Sequence, residues 1–399
     1  MWYFYSPNII YGEDALNFLE NIPGDKCFIV TDKVMEELGY LKILTDKLEK
    51  YGKQYNVYNG VLPDPRETYV AEAREMCNSY TPDLILALGG GSVMDVAKMV
   101  WCFYEFPELS LDDIHPFRPD LHNIGKKAKL IAIPTTSGTG AETTYAALIS
   151  KFENDLWKKF LYAHKGIVPT YAILDPVFPV GMPSNLTADT GFDALAHAIE
   201  GMVSVWRNEF SDALGVKAIE LVFKYLPIAI REGKNMEARD YMHQAATMAG
   251  LAFGNGNLHI GHGMGHSLGA IFHIPHGRAV GVVLSYVTQF CLNNPDEKDK
   301  SLEIYAKLAK QLGWSNWDED NKKAAFTVIE KIKELQKEVG IPNNIQDLGI
   351  SREDFDKNLD MLITLCYEDA TIGMVPRSVN PEIFKNLFTY AYNGKDIDF

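Results

Sequence analysis

Along the first half of the chain, short apolar runs alternate with longer stretches in which Leu, Glu and Lys recur at helical spacing. Cys27-Phe28-Ile29-Val30-Thr31 ends at Asp32, and residues 33–52 then read as one helix closed by Gly52. Asp83-Leu84-Ile85-Leu86-Ala87-Leu88 stops at Gly89-Gly90-Gly91, with a helix expected over Ser92 to Cys102. Leu130-Ile131-Ala132-Ile133 stops at Pro134-Thr135-Thr136. Apolar runs without alternation belong to strands buried on both faces, so this half predicts βαβ units around a mainly parallel sheet. From about Pro183 the apolar positions recur every three or four residues, as at Val328, Ile332, Leu335 and Val339 before Gly340-Ile341-Pro342, and alternating β-branched runs are few. The expectation is an α/β N-terminal domain over residues 1–182 and an all-helical C-terminal domain over 183–399. Residues 105–127 read as a surface excursion of the first domain. Met1 to Tyr11 reads as an aromatic strand and not as a targeting segment.

Composition narrows the function classes. A chain of 399 residues with 47% hydrophobic and 23% charged side chains is ordinary globular material. Its formal charge is −15, and no cluster of Lys and Arg offsets that field, which argues against a nucleic-acid partner. No apolar run approaches the roughly 18 residues a membrane span needs. The five cysteines are scattered, odd in number and free of Cys-x-x-Cys pairs, so reduced thiols in a cytoplasmic protein are expected.

Two loops carry candidate chemistry in the first half. Gly89-Gly90-Gly91-Ser92 lies between strand and helix, where glycines admit a phosphate and the first helical amides donate to it. Ser92 with Asp95 fits a helix-capping pattern, so a plain capped turn reads equally well. Pro134-Thr135-Thr136-Ser137-Gly138-Thr139-Gly140-Ala141-Glu142 offers hydroxyls and glycine amides together, suited to a pyrophosphate or a nicotinamide ribose. Two such loops at strand carboxyl ends are what an open sheet uses to hold a nucleotide. Neither Gly-x-Gly-x-x-Gly nor a Walker A sequence occurs, so any dinucleotide is held differently. Asp32, at the end of the first run, is placed either to accept from an adenosine ribose hydroxyl and repel a 2′-phosphate, or as a solvated turn residue.

The second half carries a metal signal. Asp193 and His197 stand four apart in a helical window, on one face. His259, His262, His266, His273 and His276 are five of the ten histidines and crowd one glycine-rich apolar segment, where buried imidazoles need partners. One carboxylate with several imidazoles suits Fe(II) or Zn(II) better than Mg or Ca. Metal-dependent hydrolysis is the main rival use, but His-Glu-x-x-His is absent and a hydrolase needs no phosphate loops.

Together these motifs, in this order, resemble the iron-containing (group III) alcohol dehydrogenase family of the dehydroquinate-synthase-like fold, over nearly the whole chain. The resemblance rests on Val30-Thr31-Asp32-Lys33, on Gly89-Gly90-Gly91-Ser92 with Asp95 and Lys98, and on the Pro134–Glu142 loop. It continues through Asp193-Ala-Leu-Ala-His197, His262-Gly-Met-Gly-His266 and Pro275-His276-Gly277. It implies a Rossmann-like first domain, a homodimer, and metal ligands at Asp193, His197, His262 and His276. It places Gly90, Gly91, Ser92, Asp95, Thr135, Thr136 and Thr139 along the dinucleotide, with Asp32 and Asp64 on the adenosine side and Lys159 reaching the cofactor. Asp32 favours NAD over NADP. Ala146, Phe253, His273 and Thr371 fall where the family lines a small pocket. Gly265 and Ser267 replace the usual Ala and Pro, and Val375-Pro376-Arg377 stands where the family has Asn-Pro-Arg.

The activity implied is hydride transfer between a small alcohol or aldehyde and NAD(P), with Fe(II), or else Zn(II), acting on the substrate oxygen. His266, one turn past a ligand, is the candidate proton relay. Two alternatives stand beside it: an NAD- and metal-dependent lyase or cyclase of the dehydroquinate-synthase type, for which only Lys159 and Arg278 offer anion-binding charge, and a non-catalytic cofactor-binding relative.

Overall fold

The computed structural model describes residues 3–153, 156–296 and 300–399. Its strands are β1 (Asn8–Tyr11), β2 (Lys26–Val30), β3 (Gln54–Tyr58), β4 (Leu84–Gly89), β5 (Lys129–Pro134), β6 (Ala146–Glu153), β7 (Leu156–Ala163) and β8 (Tyr171–Leu174). Six of them form one sheet in the order β1-β8-β5-β4-β2-β3. All its pairs are parallel, whereas β6 and β7 form a separate antiparallel hairpin. The apolar runs explain the order. β4 is buried throughout, and β2 and β5 at all but their first residue, so these three sit in the middle. The half-exposed β1 and β3 take the edges.

Successive strand residues point to opposite faces, and both faces are covered. Phe28, Val30, Ile85, Ala87, Leu130 and Ala132 join one apolar cluster, and Cys27, Ile29, Leu84, Leu86, Ile131 and Ile133 join another. Four helices accompany these strands: α1 (Lys33–Glu37), α2 (Tyr40–Lys50), α3 (Glu67–Tyr80) and α4 (Gly91–Glu105).

The later helices are α5 (Ser184–Gly201), α6 (Glu209–Arg231), α7 (Met236–Gly256), α8 (Ile260–Phe272), α9 (His276–Leu292), α10 (Ser301–Gln311), α11 (Asn321–Val339), α12 (Arg352–Tyr367) and α13 (Pro381–Asn393). Val328, Ile332, Leu335 and Val339 form the buried stripe of α11, which Gly340 closes in the left-handed region at φ 78°. Among the described residues no helix is long and apolar enough to cross a membrane.

The chain divides into two compact units, residues 1–182 with 234–254, and 183–233 with 255–399. Helix α7, expected in the all-helical domain, therefore packs in the unit of the sheet. Periodicity reports a buried face but not the element that buries it. In this case the contact is backbone on backbone: a Cβ on Gly140 would stand 2.5 Å from the Gly250 Cα of α7. Thr247 donates to Glu142 at 2.7 Å, and Arg239 of α7 donates to the Met182 carbonyl at 2.9 Å.

Four further expectations are corrected. The single helix over 33–52 breaks at Gly39, whose φ of 77° no helix interior accepts. The excursion over 105–127 buries Leu109, Leu111, Ile114 and Leu121 against the core. Ser92 and Asp95 do not cap α4: Gly90 is its N-cap, with no side-chain bond, because the helix starts one residue before Ser92. Of the aromatic stretch 1–11 only Asn8–Tyr11 is strand, and residues 1 and 2 lie outside the described residues.

Candidate functional site

The phosphate-loop candidates meet at the carboxyl edge of the sheet. Gly89 pairs with Pro134 in register, and the Thr135 amide donates to the Gly89 carbonyl at 3.1 Å. Across the gap, a Cβ on Gly91 would stand 3.1 Å from Thr139 and one on Gly90 3.4 Å from Thr136. Glycine thus keeps open the space between the loops. α4 begins there at Gly91, with no acidic side chain in its first turn, so its positive end is uncompensated. The chain leaves β2 and β4 toward opposite sides of the sheet, and that reversal is where open α/β sheets take ligands.

Asp32 follows β2 on the other flank of the reversal. Its Oδ1 accepts from the Met35 amide at 3.0 Å, capping α1, and burial pushes its carboxyl up. Thr135 is buried with an unpartnered hydroxyl oxygen. Ser137 is held by His243 of α7, Oγ to Nδ1 at 3.0 Å, and burial pushes that imidazole down to about 4. Asp64, left-handed at φ 54°, and Lys159 of β7 pair with each other at 2.7 Å on the surface.

Asp95 turns away from the glycine loop: its Oδ2 accepts from the Leu148 amide of β6 at 3.1 Å. Burial pushes it up to about 6 against the pull of Lys98. Lys98, fully buried, donates to Thr144 Oγ1 at 2.9 Å and to the Ala146 carbonyl at 2.7 Å. Burial pushes its ammonium down to about 8, with Asp95 and Glu142 opposing. Ala146 opens β6, and Phe253 sits half-buried on α7.

Of the metal-ligand candidates, Asp193, His262 and His276 converge in the other unit, their ligand atoms all within 4.8 Å of one another, and His197 stands beside Asp193. Asp193 Oδ1 lies 3.7 Å from His197 Nε2, 3.7 Å from His262 Nε2 and 3.3 Å from His276 Nε2. The His197 and His262 rings stack at 4.7 Å. Asp193 Oδ1 and His262 Nε2 are buried without a hydrogen-bond partner. Burial alone would raise the Asp193 carboxyl, but His197, His276 and His262 hold it well below the usual range. Helix geometry delivers these groups: Asp193 and His197 are one turn apart on α5, His262 lies on α8, and His276 starts α9 after Pro275.

Two carboxylates absent from the sequence reading hold the imidazoles from behind. His262 Nδ1 lies 2.8 Å from Glu200 Oε1, and the His259 amide donates to Glu200 Oε2 at 3.0 Å. Glu200 is fully buried, and Gly261 makes room for it, since a Cβ there would collide with its carboxylate. His266 Nδ1 lies 2.7 Å from Asp369 Oδ2, and Thr371 donates to the other oxygen of Asp369. The His266 ring stacks on His276 at 5.1 Å. His259 is buried, and His273 ends α8 exposed in the left-handed region at φ 56°. The spacing signal for Glu200 was available, because positions 193, 197 and 200 share one face of a helix. Asp369 had none, being brought to His266 by tertiary packing. Gly265 faces Val280 of α9, whose backbone nitrogen would stand 3.1 Å from an alanine Cβ.

Residues 6–176 match the family described as iron-containing alcohol dehydrogenase, and residues 187–392 match the C-terminal part of the Fe-containing alcohol dehydrogenase family. The chain belongs to the iron-containing alcohol dehydrogenase family. It is 38% identical over 395 residues to an NADPH-dependent butanol dehydrogenase of Clostridium saccharobutylicum, covering 98% of each chain. It is 35% identical to the bifunctional aldehyde-alcohol dehydrogenase of Escherichia coli K12, covering 93% of this chain but 43% of that protein. Among solved structures, the iron-containing alcohol dehydrogenase of Thermococcus thioreducens superposes with a TM-score of 0.86 at 32% identity, covering 99% of this chain and 100% of that one. Membership makes the chain a metal-dependent, NAD(P)-linked alcohol dehydrogenase or aldehyde reductase, and the cyclase and sensor alternatives are not favoured.

The residues fit the metal the family implies. Four-coordinate ligands at about 2.0–2.1 Å from a zinc-sized ion lie roughly 3.4 Å from one another. The separations from Asp193 Oδ1, 3.3 to 3.7 Å, bracket that value. Two buried polar atoms without partners cost free energy unless a cation satisfies them.

Proposed function

We propose that this enzyme reduces small aldehydes and oxidises the matching alcohols with NAD(H) in preference to NADP(H), on a single Fe(II) held by Asp193, His197, His262 and His276. The observation that carries the reading is the cluster of Asp193, His262 and His276, whose ligand atoms all lie within 4.8 Å of one another, with His197 Nε2 3.7 Å from Asp193 and Glu200 fixing a ring from behind. Zn(II) suits the same donors. When bound, the metal supplies Lewis acidity to the substrate oxygen.

The chain's own residues do the rest. Gly90, Gly91, Ser92, Thr135, Thr136 and Thr139 cradle the dinucleotide phosphates and nicotinamide ribose, and Lys159 with Asp64 supplies charge nearby. Asp95 serves indirectly, by tying α4 to the hairpin. Asp32 caps α1 through one oxygen and accepts from the adenosine ribose, while its charge repels a 2′-phosphate. The Clostridium saccharobutylicum relative is NADPH-dependent by name, so the NAD preference rests on Asp32 alone. Ala146, Phe253, His273 and Thr371 are the residues this reading assigns to substrate contact. His266 takes the alcohol proton in oxidation and returns it in reduction. The enzyme works in the cytoplasm as a homodimer, an assembly supported by the exposed Trp206 and Phe210 of the helical unit.

Initial rates with NADH and NADPH across a panel of short aldehydes, on Fe(II)-reconstituted protein under anaerobic conditions, test the reading. At least a tenfold higher kcat/KM with NADH is expected, the equivalent of about 1.4 kcal/mol at the adenosine end. A preference for NADPH would overturn the role of Asp32, and no turnover with either cofactor would overturn the function.

A further inference from the structure

Helix α8 presents two imidazoles one turn apart, and a carboxylate from another element stands behind each. For His266 that carboxylate is Asp369, which follows α12. Asp369 is itself fixed from several sides. Its Oδ1 accepts from the Thr371 amide at 2.9 Å and from the Thr371 hydroxyl at 2.6 Å. Its amide donates to the Cys366 carbonyl at 3.2 Å, and its own carbonyl accepts from the Ile372 amide at 3.3 Å. The turn rests directly on α8: a Cβ on Gly263 would stand 3.3 Å from Cys366 Sγ, 3.5 Å from Thr371 Oγ1 and 3.6 Å from Asp369 Cβ. With Oδ1 occupied by two donors, Oδ2 is left for His266 Nδ1 at 2.7 Å. A base held by a third group in this way has its tautomer and orientation set before substrate arrives.

We propose that Asp369 is a positioning residue that locks His266 in the Nδ1–H tautomer, leaving Nε2 with a lone pair to receive the substrate hydroxyl proton. In alcohol oxidation the O–H bond breaks and its proton passes to His266 Nε2. The carbinol carbon would lose its hydride to the oxidised NAD(P) that the glycine and threonine loops would hold, and the carbonyl would form. Reduction runs the same transfers backwards. The inference rests on the dehydrogenase reading for its kinetics, while the tautomer is a property of the folded protein alone.

The geometry also fixes the order of two variants. In Asp369→Asn the Thr371 amide and hydroxyl still point at the Oδ1 position, so the carbonyl oxygen of the new side chain settles there. Its NH2 group then faces His266 Nδ1 and donates to it, which forces the Nε2–H tautomer and removes the base. In Asp369→Ala no group directs the ring, and both tautomers are populated. The isosteric variant is therefore the more damaging one. A merely structural carboxylate would give the opposite order, since alanine leaves the larger hole.

The test combines kinetics of the metal-loaded enzyme with long-range 1H–15N spectra of histidine-labelled, zinc-loaded protein. Asp369→Asn is expected to lower kcat about 100-fold or more, the scale of lost general base catalysis, with KM and bound metal within about twofold. Asp369→Ala should fall by about tenfold, and adding Asp369→Asn to His266→Ala should change kcat by less than about threefold. The spectra should show His266 as Nδ1–H in the wild type and Nε2–H in Asp369→Asn. The proposal is overturned by an unchanged tautomer in Asp369→Asn, by the opposite order of the two variants, by additive losses in the double variant, or by metal lost with Asp369. Absence of turnover in the wild type would sink the dehydrogenase reading, and the spectra would still decide for or against Asp369.

Discussion

At the scale of single residues, some groups are proposed to hold the metal and others hold the holders. Asp193 supplies the only carboxylate among the four proposed ligands. Asp193→Ala should lower metal affinity by well over the 10–100-fold typical of an outer partner, read by metal analysis after dialysis. Glu200 is such an outer partner. Burial pushes its carboxyl up, yet His262 and His259 outweigh burial and bring it down to about 2, so it is charged when it grips His262. Glu200→Gln keeps the shape and removes the charge. Its affinity for Zn(II) should fall by about 10–100-fold in a chelator competition, and an unchanged affinity would show that the carboxylate is packing only.

At the scale of elements, the buried cation on α4 ties that helix to Thr144 and to the start of the hairpin. Lys98→Met would leave Asp95 and Glu142 in the core without their counter-charge, at a cost of about 3–5 kcal/mol. The pH dependence has a definite sign. Burial holds the folded-state Asp95 carboxyl at about 6, above its ordinary 3.8, so stability fades as pH rises between those values. Without Lys98 the carboxyl climbs further and the loss extends above pH 6. Melting curves should show a larger deficit for the variant at pH 8 than at pH 5, and equal deficits would mean that Lys98 acts through packing alone.

The Gly140–Gly250 crossing sets a second limit. A Cβ on Gly250 would stand 2.5 Å from Thr143 Oγ1 and 2.7 Å from the Gly140 backbone. Gly250→Ala should cost about 1–3 kcal/mol and weaken NADH binding, because α7 also holds Ser137 through His243. Wild-type melting and binding in that variant would show that the crossing is slack.

These elements also show what the sequence made legible. The runs at 27–31, 83–88 and 130–133 announced three of the four inner strands, because a strand buried on both faces must be apolar throughout. The edge strand β3 and the β6–β7 hairpin escaped, since their half-exposed residues lack both continuous apolarity and clean alternation. The proximity of Asp193 and His197 was readable from helical spacing, and the candidates His262 and His276 from crowding in an apolar segment. Asp369 and His243 were not, because each meets its partner only through packing between elements distant in sequence. The packing of α7 with the sheet escaped for the same reason.

At the scale of the whole molecule, every strand of the sheet and the two candidate phosphate loops belong to one unit, and the four metal-ligand candidates belong to the other. Family membership over residues 6–176 and 187–392 spans both units, so both halves of the chemistry are present in one chain. Cofactor preference is a property of this level, since it compares two complete complexes. Asp32→Ser should shift kcat/KM toward NADPH by about tenfold or more, as loss of a charge facing a 2′-phosphate implies. An unchanged ratio would place the discrimination elsewhere. The most direct test of the account is to titrate apo-protein with Fe(II) under anaerobic conditions and to follow bound metal and NADH-dependent aldehyde reduction together. The predicted result is activity that rises in proportion to bound iron, saturates at about one ion per chain and disappears on chelation, as a single four-ligand site requires. Full activity in the metal-free protein, or a saturated site with no turnover on any aldehyde, would contradict it.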